Sequence, residues 1–546
     1  MKHNNLNNFW SKNIVNLLYK KGVRYACISP GSRNAPLTYQ FVKHPSIKCI
    51  SHIDERSSCY FGLGIAKITK NPVVILTTSG TATANLYPGI IEGSMNMIPL
   101  IIITADRPKH LLNTGENQTI NQINLYGNHV RKTLNFRTNK TVSMLKKMDI
   151  AIDQSLGMNK NNPGPIHFNI RFNEPLFDNS KKKISYIPEK IKPETKHIVF
   201  KTPNFKRPLI VCGDLSASKL SDVLAIAKKI NSPIFADILS NMRGYTSNGI
   251  NVYYDYYIEH LAQSPDFILR FGKKPLSKKL NTFLNKYKKN TYLLESHIGF
   301  NDDCPNIIQG SLNNITFKFN SEYKIDGKWL DYINSLEKST KHIIKATKYH
   351  NNSEITFINT LLNNIEKNDQ LFIGNSMPIR NFDQFSGKLK NKIKIFANRG
   401  ASGIDGITST ALGMSYLNNK TKNYLFIGDI SFFHDSNAFH VLKLLTIDLT
   451  IIVSNNKGGQ IFTKLDYAKE NLRGFTDFWI TPPYTKIKDL ANLFDLKYYK
   501  LSISQFDKDI KKISSLEGVK IVEIEVNALK DIKINQSIKN KIKLLI

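Results

Sequence analysis

Two polar segments at the ends of apolar runs hold the residues best suited to chemistry. The run "NYLFIGDIS" ends at Gly428 and Asp429, and the next run, "LTIIVSNN", ends at Asn456, 27 residues after Asp429. That spacing accommodates one helix and one returning strand, which would place both side chains at neighbouring strand ends. Gly458 and Gly459 follow, and glycine lets the backbone come close enough to a ligand to offer a carbonyl oxygen.

Carboxylate, side-chain amide and backbone carbonyl groups are hard oxygen donors. They suit Mg²⁺, which prefers octahedral oxygen coordination and shares its shell with phosphates and water. The helix predicted after Gly428 would present its N-terminus to the same place, which favours a diphosphate. An Asp at this position is also a common helix N-cap, and Asp429 taken alone leaves that role open. With Asn456 and Gly458, it predicts a metal site that holds a diphosphate.

These segments belong to a repeated alternation of strand-length apolar runs and helical stretches. Residues 1–180 contain five such runs, and the pattern returns in residues 181–352 and 353–546. A Lys/Pro-rich segment at 178–196 reads as a linker. Apolar strands that alternate with helices are typical of parallel sheets buried on both faces. We therefore predict an α/β protein of three doubly wound parallel-sheet domains with these three ranges, and ligands beyond the carboxyl ends of the strands.

Composition restricts the class of protein. The chain has 546 residues with 76 Lys+Arg against 43 Asp+Glu, a formal charge of +33 that suits anionic substrates. The lysines are scattered, without zinc-finger spacing, an RNP-type motif or a basic tail, so no nucleic-acid partner is predicted.

The five cysteines show no CxxC pattern and indicate free thiols. Apolar runs stay far below the ~18 residues of a membrane span, and no signal peptide is recognisable. We expect a soluble, cytoplasmic protein.

A second acidic segment lies far upstream, in "CISHIDERSS", where Asp54 and Glu55 end a strand. Taken alone it reads as a solvated loop. The pattern around Asp429 resembles the cofactor motif of thiamine-diphosphate-dependent enzymes, although Ile430 stands where most members have glycine. In that superfamily a glutamate of a different domain protonates N1′ of the aminopyrimidine, and an apolar residue separates the two cofactor rings. The resemblance implies that Glu55 is this catalytic acid and that Ile404, in "NRGASGIDG", is the wedge. Taken alone, Ile404 equally suits an ordinary core position in a Gly-rich turn.

Nine segments in order make the resemblance specific: "SPGSRNAPLT", "HIDER", "TTSGTATANLYP", "TADRP", "ENQTI", "GNSMPIRNFD", "NRGASGIDG", "GDIS" and "NNKGGQIF". Together they are similar to the 2-succinyl-5-enolpyruvyl-6-hydroxy-3-cyclohexene-1-carboxylate synthase (MenD) family of menaquinone biosynthesis, in which residue 430 need not be glycine. The match covers the first and third regions nearly end to end. It is looser in the middle, where "NMRGY" (241–245) and "GKKPLSKKL" (272–280) fit.

The resemblance implies a transferase that uses thiamine diphosphate with Mg²⁺ or Mn²⁺. Its substrates would be 2-oxoglutarate, which loses carbon dioxide, and isochorismate, which accepts the four-carbon carbanion in a 1,4-addition. Both are dianions, and arginine suits them because its planar fork binds carboxylates bidentately. In the superfamily the cofactor lies between the first domain of one chain and the third domain of another. A homodimer or a dimer of dimers is therefore implied, with active sites between chains.

The same resemblance assigns further contacts residue by residue. Those expected at the cofactor, besides Glu55, Ile404 and the metal set, are Gly428, Ser431, Asn375, Ile461 and Phe462. Those expected at the substrates are Ser32, Arg33, Arg107, Asn117, Gln118, Ser376, Arg380 and Arg399. Lys278 and Lys279 are further substrate candidates from the middle domain. Taken singly, each arginine also suits a surface or capping role, the two lysines suit a solvated helix face, and Ile461 and Phe462 suit core packing.

Three other interpretations stay open. Another thiamine-diphosphate carboligase or decarboxylase, such as an acetohydroxyacid synthase or a 2-oxoacid decarboxylase, would keep Glu55 and Asp429 but needs fewer cations than four arginines. A non-catalytic basic protein would bind nucleic acid in a salt-sensitive way without needing the cofactor. A decayed enzyme kept for its structure is disfavoured, because Glu55, Asp429 and Asn456 are all intact.

Overall fold

Three six-stranded sheets, each made only of parallel strand pairs, form the framework of the chain. This confirms the predicted α/β fold with parallel-sheet domains. The predicted linker at 178–196 lies outside the described residues except for 186–188. The computed structural model describes residues 6–138, 143–158, 161–177, 186–188, 197–215, 219–297, 302–319, 325–418, 420–470 and 472–545.

The first sheet has the strand order β2-β1-β3-β4-β6-β5. Its strands are β1 (Tyr25–Ile28), β2 (Lys48–Ser51), β3 (Val73–Thr77), β4 (Leu100–Asp106), β5 (Thr133–Arg137) and β6 (Ile166–Arg171). Its helices are α1 (Asn7–Lys20), α2 (Ala35–Lys43), α3 (Glu55–Thr69), α4 (Thr81–Asn85), α5 (Tyr87–Met95) and α6 (Ser143–Ser155). Successive residues of β3 and β4 enter two different cores, one on each face, which is why both strands are apolar throughout. The sequence predicted every strand of this sheet except β5.

The central sheet has the order β10-β9-β8-β11-β12-β13, and a separate pair joins β7 to β14. The strands are β7 (Ile198–Lys201), β8 (Pro208–Cys212), β9 (Ile234–Ala236), β10 (Ile250–Asn251), β11 (Phe267–Phe271), β12 (Thr291–Glu295), β13 (Asn306–Gln309) and β14 (Ile315–Lys318). The helices are α7 (Leu220–Lys229), α8 (Lys278–Lys286) and α9 (Gly327–Ala346). Much of the chain near 335–352, which reads as merely polar in sequence, belongs to α9. That helix buries Trp329, Ile333, Thr340 and Ile344 on one face.

The third sheet has the order β16-β15-β17-β18-β20-β19. Its strands are β15 (Gln370–Ile373), β16 (Lys394–Phe396), β17 (Asn423–Gly428), β18 (Leu449–Asn455), β19 (Lys497–Lys500) and β20 (Val519–Glu525). Its helices are α10 (Glu354–Asn364), α11 (Met377–Phe385), α12 (Ile407–Ser415), α13 (Asp429–His434), α14 (Ile487–Leu493), α15 (Ile503–Ser514) and α16 (Ala528–Lys543). Taken in chain order within each sheet, the strands of the third sheet are arranged as those of the first.

Helices α3 and α12 join the first and third domains. They pack directly against each other, and one continuous buried cluster contains Phe61 of α3 together with Ala411 and Leu412 of α12. The loop before α12 therefore lies against the first domain. Within the described part of the chain, no helix is both long and apolar enough to cross a bilayer. All five cysteines are free thiols.

Candidate active site

Asp429 begins α13 directly after β17 and is 2% exposed. Its Oδ1 accepts a hydrogen bond from the Ile430 N–H at 2.8 Å, and its Oδ2 accepts one from the Gly458 N–H at 2.9 Å. Burial raises the pKa of Asp429 to about 6, although these backbone N–H groups oppose the rise. The structure thus brings Asp429 to the loop after β18, as the sequence predicted.

Asn456 follows β18 in that loop. Its Oδ1 is buried and has no hydrogen-bond partner among the residues that the structure describes. An unsatisfied buried oxygen costs about 1–3 kcal/mol, so this atom is suited to a ligand. Gly458 has φ +115°, and a Cβ there would lie 2.2 Å from the Ile480 carbonyl oxygen, so only glycine fits. The set fits Mg²⁺, since its donors are all oxygens.

No group of three or more His, Cys, Asp or Glu residues suited to a metal occurs in the described ranges. The candidate set has a different composition, with one carboxylate, one amide and a backbone carbonyl. A metal bound there would keep positions free for phosphate oxygens and water, as Mg²⁺ usually does. α13 has only six residues, so an anion would contact N–H groups of its first turn rather than a long helix dipole, and the Ile430 N–H already donates to Asp429.

The other predicted cofactor residues of this domain surround the same loops. Ser431 is buried within α13, whereas a Cβ at Gly428 would meet no atom within 4 Å, which leaves room for a ligand. Ile461 and Phe462 lie on a 3₁₀ helix, Gln460–Lys464, and are half-buried. Ile404 is 36% exposed, so part of its side chain is open to contact with a ligand.

Two arginines of the third domain lie beside these loops. The Asn375 Oδ1 accepts a hydrogen bond from Arg399 Nη1 at 3.1 Å, and Arg380 Nη1 donates to the Ser376 carbonyl at 2.5 Å. Burial and the nearby positive charge of Arg380 lower the pKa of Arg399. Neither guanidinium forms an ion pair within the described part of the chain. Two unpaired cations held together suit a dianionic ligand.

The predicted residues of the first domain form a second cluster. Arg107 Nη2 donates to the Asn117 carbonyl at 3.0 Å and to Gln118 Oε1 at 3.5 Å. Burial and the charge of Arg33 lower the pKa of Arg107. Ser32, Asn117 and Gln118 are exposed at the surface of this cluster.

Arg33 differs from the other predicted arginines because its guanidinium is already engaged. It is 3% exposed, its Nη2 contacts Glu174 Oε1 at 2.8 Å, and its Nη1 donates to the Phe172 carbonyl at 3.2 Å. The Nε atom is buried and has no partner in the described ranges. A substrate carboxylate would therefore compete with Glu174 for Arg33.

Glu55 begins α3 and is half-buried, without a hydrogen bond or ion pair to any described residue. Its two neighbours bind the third domain of the same chain. Asp54 Oδ2 accepts from Asn437 Nδ2 at 2.8 Å, and Arg56 Nη2 donates to the His434 carbonyl at 3.0 Å. His434 is the last residue of α13, whereas Asp429 is its first. The single chain therefore does not bring Glu55 into contact with the metal set.

The two lysines that the sequence offers as substrate contacts belong to the middle domain. Lys278 and Lys279 begin α8; Lys278 is exposed, and Lys279 Nζ forms an ion pair with Glu259 Oε2 at 2.6 Å. Lys279 also lies near Lys539 on α16 of the third domain. Burial lowers the pKa of Lys539, and the positive charge of Lys279 lowers it further. No described contact joins either lysine to Arg380 or Arg399.

Three buried residues of the first domain that the sequence did not indicate bind the loop that contains Arg399 and Ile404. Glu92 accepts hydrogen bonds from backbone N–H groups of this loop, Tyr60 donates to Asp405 Oδ2 at 2.7 Å, and Lys67 donates to the Ala397 carbonyl at 2.6 Å. The one available signal was Glu92, an acid inside the otherwise apolar helix "YPGIIEGSM".

Comparison with known proteins adds to this geometry. Residues 10–125 match the family described as "Thiamine pyrophosphate enzyme, N-terminal TPP binding domain", and residues 175–373 match "Middle domain of thiamine pyrophosphate". With the oxygen-donor site on the third sheet, these matches define a thiamine-diphosphate-dependent enzyme.

Two relatives identify the group within that class. A 2-succinyl-5-enolpyruvyl-6-hydroxy-3-cyclohexene-1-carboxylate synthase of Staphylococcus haemolyticus is 35% identical over 508 residues, which cover 89% of this chain and 89% of the relative. The synthase of the same name from Staphylococcus aureus is 36% identical over 511 residues, covering 90% of this chain and 89% of the relative. The chain belongs to this synthase family, as the sequence motifs indicated.

Proposed function

We propose that the chain decarboxylates 2-oxoglutarate and adds the resulting succinyl carbanion to isochorismate, giving 2-succinyl-5-enolpyruvyl-6-hydroxy-3-cyclohexene-1-carboxylate for menaquinone synthesis. The observation that carries this proposal is the pair of unpaired guanidinium groups, Arg380 and Arg399, beside the oxygen-donor set. A small monoanion such as pyruvate would not need both cations. The reaction class agrees with the name of the relatives.

Thiamine diphosphate is the cofactor, with Mg²⁺ or Mn²⁺ held by Asp429, the Asn456 Oδ1 and the Gly458 carbonyl. The orphaned Asn456 Oδ1 supports this assignment, because a bound cation would satisfy it. When bound, the cofactor supplies an electron sink for decarboxylation and a nucleophilic carbon for the addition. Gly428 and Ser431 lie where the diphosphate would approach, and Asn375 fixes the Arg399 side chain beside it.

Glu55 is the group that moves a proton. We assign its carboxyl to N1′ of the aminopyrimidine, since it is the one acid at the start of α3 that has no partner in the described part of the chain, whereas Asp54 caps the helix through the Ser57 N–H. Ile404, partly exposed, would separate the two rings of the cofactor. Ile461 and Phe462 would form an apolar wall that excludes water.

The substrate carboxylates and hydroxyls contact two groups of residues. From the third domain we assign Ser376, Arg380 and Arg399. From the first domain we assign Ser32, Arg33, Arg107, Asn117 and Gln118. In this scheme Arg33 exchanges its contact with Glu174 for a substrate carboxylate. Lys278 and Lys279 of the middle domain remain our further candidates for substrate contacts.

The assembly we propose is a homodimer, or a dimer of dimers, with each active site between the first domain of one chain and the third domain of its partner. Support comes from the single chain, in which α3 begins against the end of α13 that lies away from Asp429. We also keep 1–180, 181–352 and 353–546 as the domain ranges, and the cytoplasm as the location.

The test is a coupled assay with purified protein, thiamine diphosphate, Mg²⁺ and 2-oxoglutarate, which follows the loss of isochorismate absorbance. We expect loss only when both substrates and the cofactor are present. Release of carbon dioxide from pyruvate, with no consumption of isochorismate, would contradict the substrate assignment while leaving the cofactor assignment standing. The double variant Arg380→Ala/Arg399→Ala is the matched control and should lose activity with retained cofactor binding.

A further inference from the structure

Glu92 is a carboxylate of α5 that is 2% exposed and has no cationic partner in hydrogen-bond contact among the described residues. Its contacts lie almost entirely in the third domain. Oε1 accepts from the Gly400 N–H at 2.9 Å, and Oε2 accepts from the Ala401 N–H at 2.7 Å and the Ser402 N–H at 3.3 Å. The remaining contact is local, from Asn96 Nδ2 to Oε1 at 2.8 Å.

These bonds organise a segment that we call the 397–406 loop. Consecutive N–H groups that converge on an anion form a concave backbone site, and here the anion is a protein side chain. The fit is close: a Cβ at Gly400 would lie 2.5 Å from the Glu92 carbonyl oxygen, so only glycine allows the loop to reach α5. A neutral amide at position 92 would turn a donor group towards these N–H groups and leave at least one unpaired.

The same loop contains two residues of the proposed active site. Arg399 immediately precedes the three N–H groups, and Ile404 follows them by two residues. The loop is also held on either side of this point. Lys67 Nζ binds the Ala397 carbonyl and Asn398 Oδ1, at 2.6 and 2.9 Å, and the Tyr60 hydroxyl binds Asp405 Oδ2 at 2.7 Å.

We propose that Glu92 is a positioning residue, which fixes the 397–406 loop so that Arg399 and Ile404 face the ligands of their active site. The inference rests on the proposed function, because it places that active site between this third domain and the first domain of a partner chain. It has a structural consequence. In the dimer, helix α3 of one chain contributes Glu55 to one active site. Through Tyr60 and Lys67, the same helix supports the 397–406 loop, which belongs to the other active site.

The first test measures the loop directly, without cofactor or substrate. In Glu92→Gln, hydrogen exchange of peptides covering 399–403 should accelerate by on the order of tenfold or more, because at least one of the three N–H groups loses its acceptor and faces an amide donor instead. The control is Asp149→Asn, which alters another buried carboxylate of the first domain, bound to Lys21 Nζ at 2.6 Å. This control should lower the melting temperature without affecting the 399–403 peptides. Unchanged exchange in Glu92→Gln would overturn the proposal.

The second test separates positioning from general stability. Glu92→Gln should raise KM for 2-oxoglutarate by on the order of 10- to 100-fold, as expected when a binding cation is misplaced by about an ångström. Asp149→Asn should leave that KM unchanged. A Glu92→Gln enzyme with normal KM for both substrates and normal cofactor affinity would contradict the role we assign.

The third test uses mixed dimers. One chain carries Glu55→Gln and the other carries Asp429→Ala, so a single intact site remains, built from the third domain of the Glu55→Gln chain. Adding Glu92→Gln to the Glu55→Gln chain should impair this site, whereas adding it to the Asp429→Ala chain should not. Equal effects on both chains would overturn the proposal, and so would the absence of any activity in the parent mixed dimer. Failure of the proposed function itself would show separately, as an inactive wild-type enzyme.

Should Glu92→Gln fail to fold, Tyr60→Phe tests the same loop more gently. It removes one hydroxyl and its bond to Asp405 while keeping the ring in place. We expect a several-fold faster exchange of peptides covering 403–406 and a smaller rise in KM. Normal exchange and normal KM in this folded variant would overturn the positioning role of the first domain.

Discussion

The first and third sheets have the same strand order, yet they place different residues at equivalent strand ends. After the third strand of each sheet in chain order, the first domain has Thr78 and Ser79, whereas the third domain has Asp429. After the fourth strand, the first domain has Arg107 and the third has Asn456. The candidate oxygen-donor set therefore comes from two side chains of the third domain and not from the fold, which both domains share.

The remaining strand ends extend the comparison. After the second strand, the first domain has Glu55 at the start of α3, and the third domain has Arg399 in the loop before α12. These two equivalent helices pack against each other. Under the proposed function, two copies of one architecture divide the tasks: one would supply an acid and cations, and the other would supply the oxygen donors for a metal and further cations. The predictions below test this division, from the largest effect to the smallest.

Asp429→Ala should have the largest effect. It removes the only carboxylate of the metal set, and we expect turnover to fall by about 10³-fold or more, since metal-assisted charge stabilisation is worth several kcal/mol. Turnover as a function of Mg²⁺ concentration is the measurement. The control is Asn455→Ala. Asn455 directly precedes Asn456, and its side-chain amide donates a hydrogen bond to Glu523. Equal losses in the two variants would mean that the site depends on β18 packing and not on the metal donors.

Glu55→Gln should lower turnover by about 10²- to 10⁴-fold, the range of general acid–base catalysis, while the cofactor still binds. The measurement is the exchange rate of the C2 proton of bound thiamine diphosphate, followed by NMR. Asp54→Ala serves as the control, because it removes a helix cap and should cost about 1 kcal/mol of stability without slowing exchange. Fast exchange in Glu55→Gln would move the acid role to another residue.

Arg399→Lys and Arg380→Lys keep the charge but lose the planar fork. We expect each to raise KM for 2-oxoglutarate or isochorismate by about 10- to 100-fold, because charge-assisted hydrogen bonds contribute about 1.5–3 kcal/mol. Steady-state kinetics with each substrate varied in turn will assign the arginines. Arg207→Lys, a change in the central domain at an arginine that binds the Ser264 carbonyl, is the control and should leave both KM values unchanged.

The first domain buries a histidine and the third domain buries a glutamate. We expect these two groups to change the free energy of unfolding in opposite directions as pH falls. Burial lowers the pKa of His52 in the first domain to about 4, so the unfolded chain binds more protons below pH 6.5. Stability should fall, by up to about 3 kcal/mol from this group, as pH drops from 6.5 to 4. Burial raises the pKa of Glu354 in the third domain from its usual 4.5 to about 8, so its contribution to stability is fully present below pH 4.5 and is lost progressively as pH rises to 8.

Melting curves at several pH values check this prediction. His52→Gln should remove the part of the stability loss that appears as pH falls from 6.5 to 4, and Glu354→Gln should remove the part that appears as pH rises from 4.5 to 8. If a variant changes the melting temperature by the same amount at every pH, its residue does not titrate in the assigned window.

The comparison also explains what the sequence predicted and what it missed. Every buried strand of the first and third sheets was predicted, because strands covered on both faces are continuous apolar runs. The two missed strands, β5 and β19, occupy the same position at the sheet edge. Each has polar and half-exposed residues, as in "TLNFR" and "KYYK", so neither forms an apolar run.

The site residues were predicted to the extent that each lies in a local motif. Asp429 and Asn456 could be paired from their spacing, since adjacent parallel strands end at the same edge. Glu92, Tyr60 and Lys67 could not, because their partners lie more than 300 residues away and neither segment has a pattern of its own. The contact of Arg33 with Glu174 was missed because the two residues lie 141 positions apart and no local motif links them.

The division of tasks between the two sheets is tested most directly by calorimetric titration of thiamine diphosphate with Mg²⁺ into two variants. The account predicts that Glu55→Gln binds the cofactor with an affinity close to that of the unmodified chain, and that Asp429→Ala shows no binding at the same concentrations. Equal affinities for the two variants would contradict the account, because the third sheet would then not hold the diphosphate through a metal.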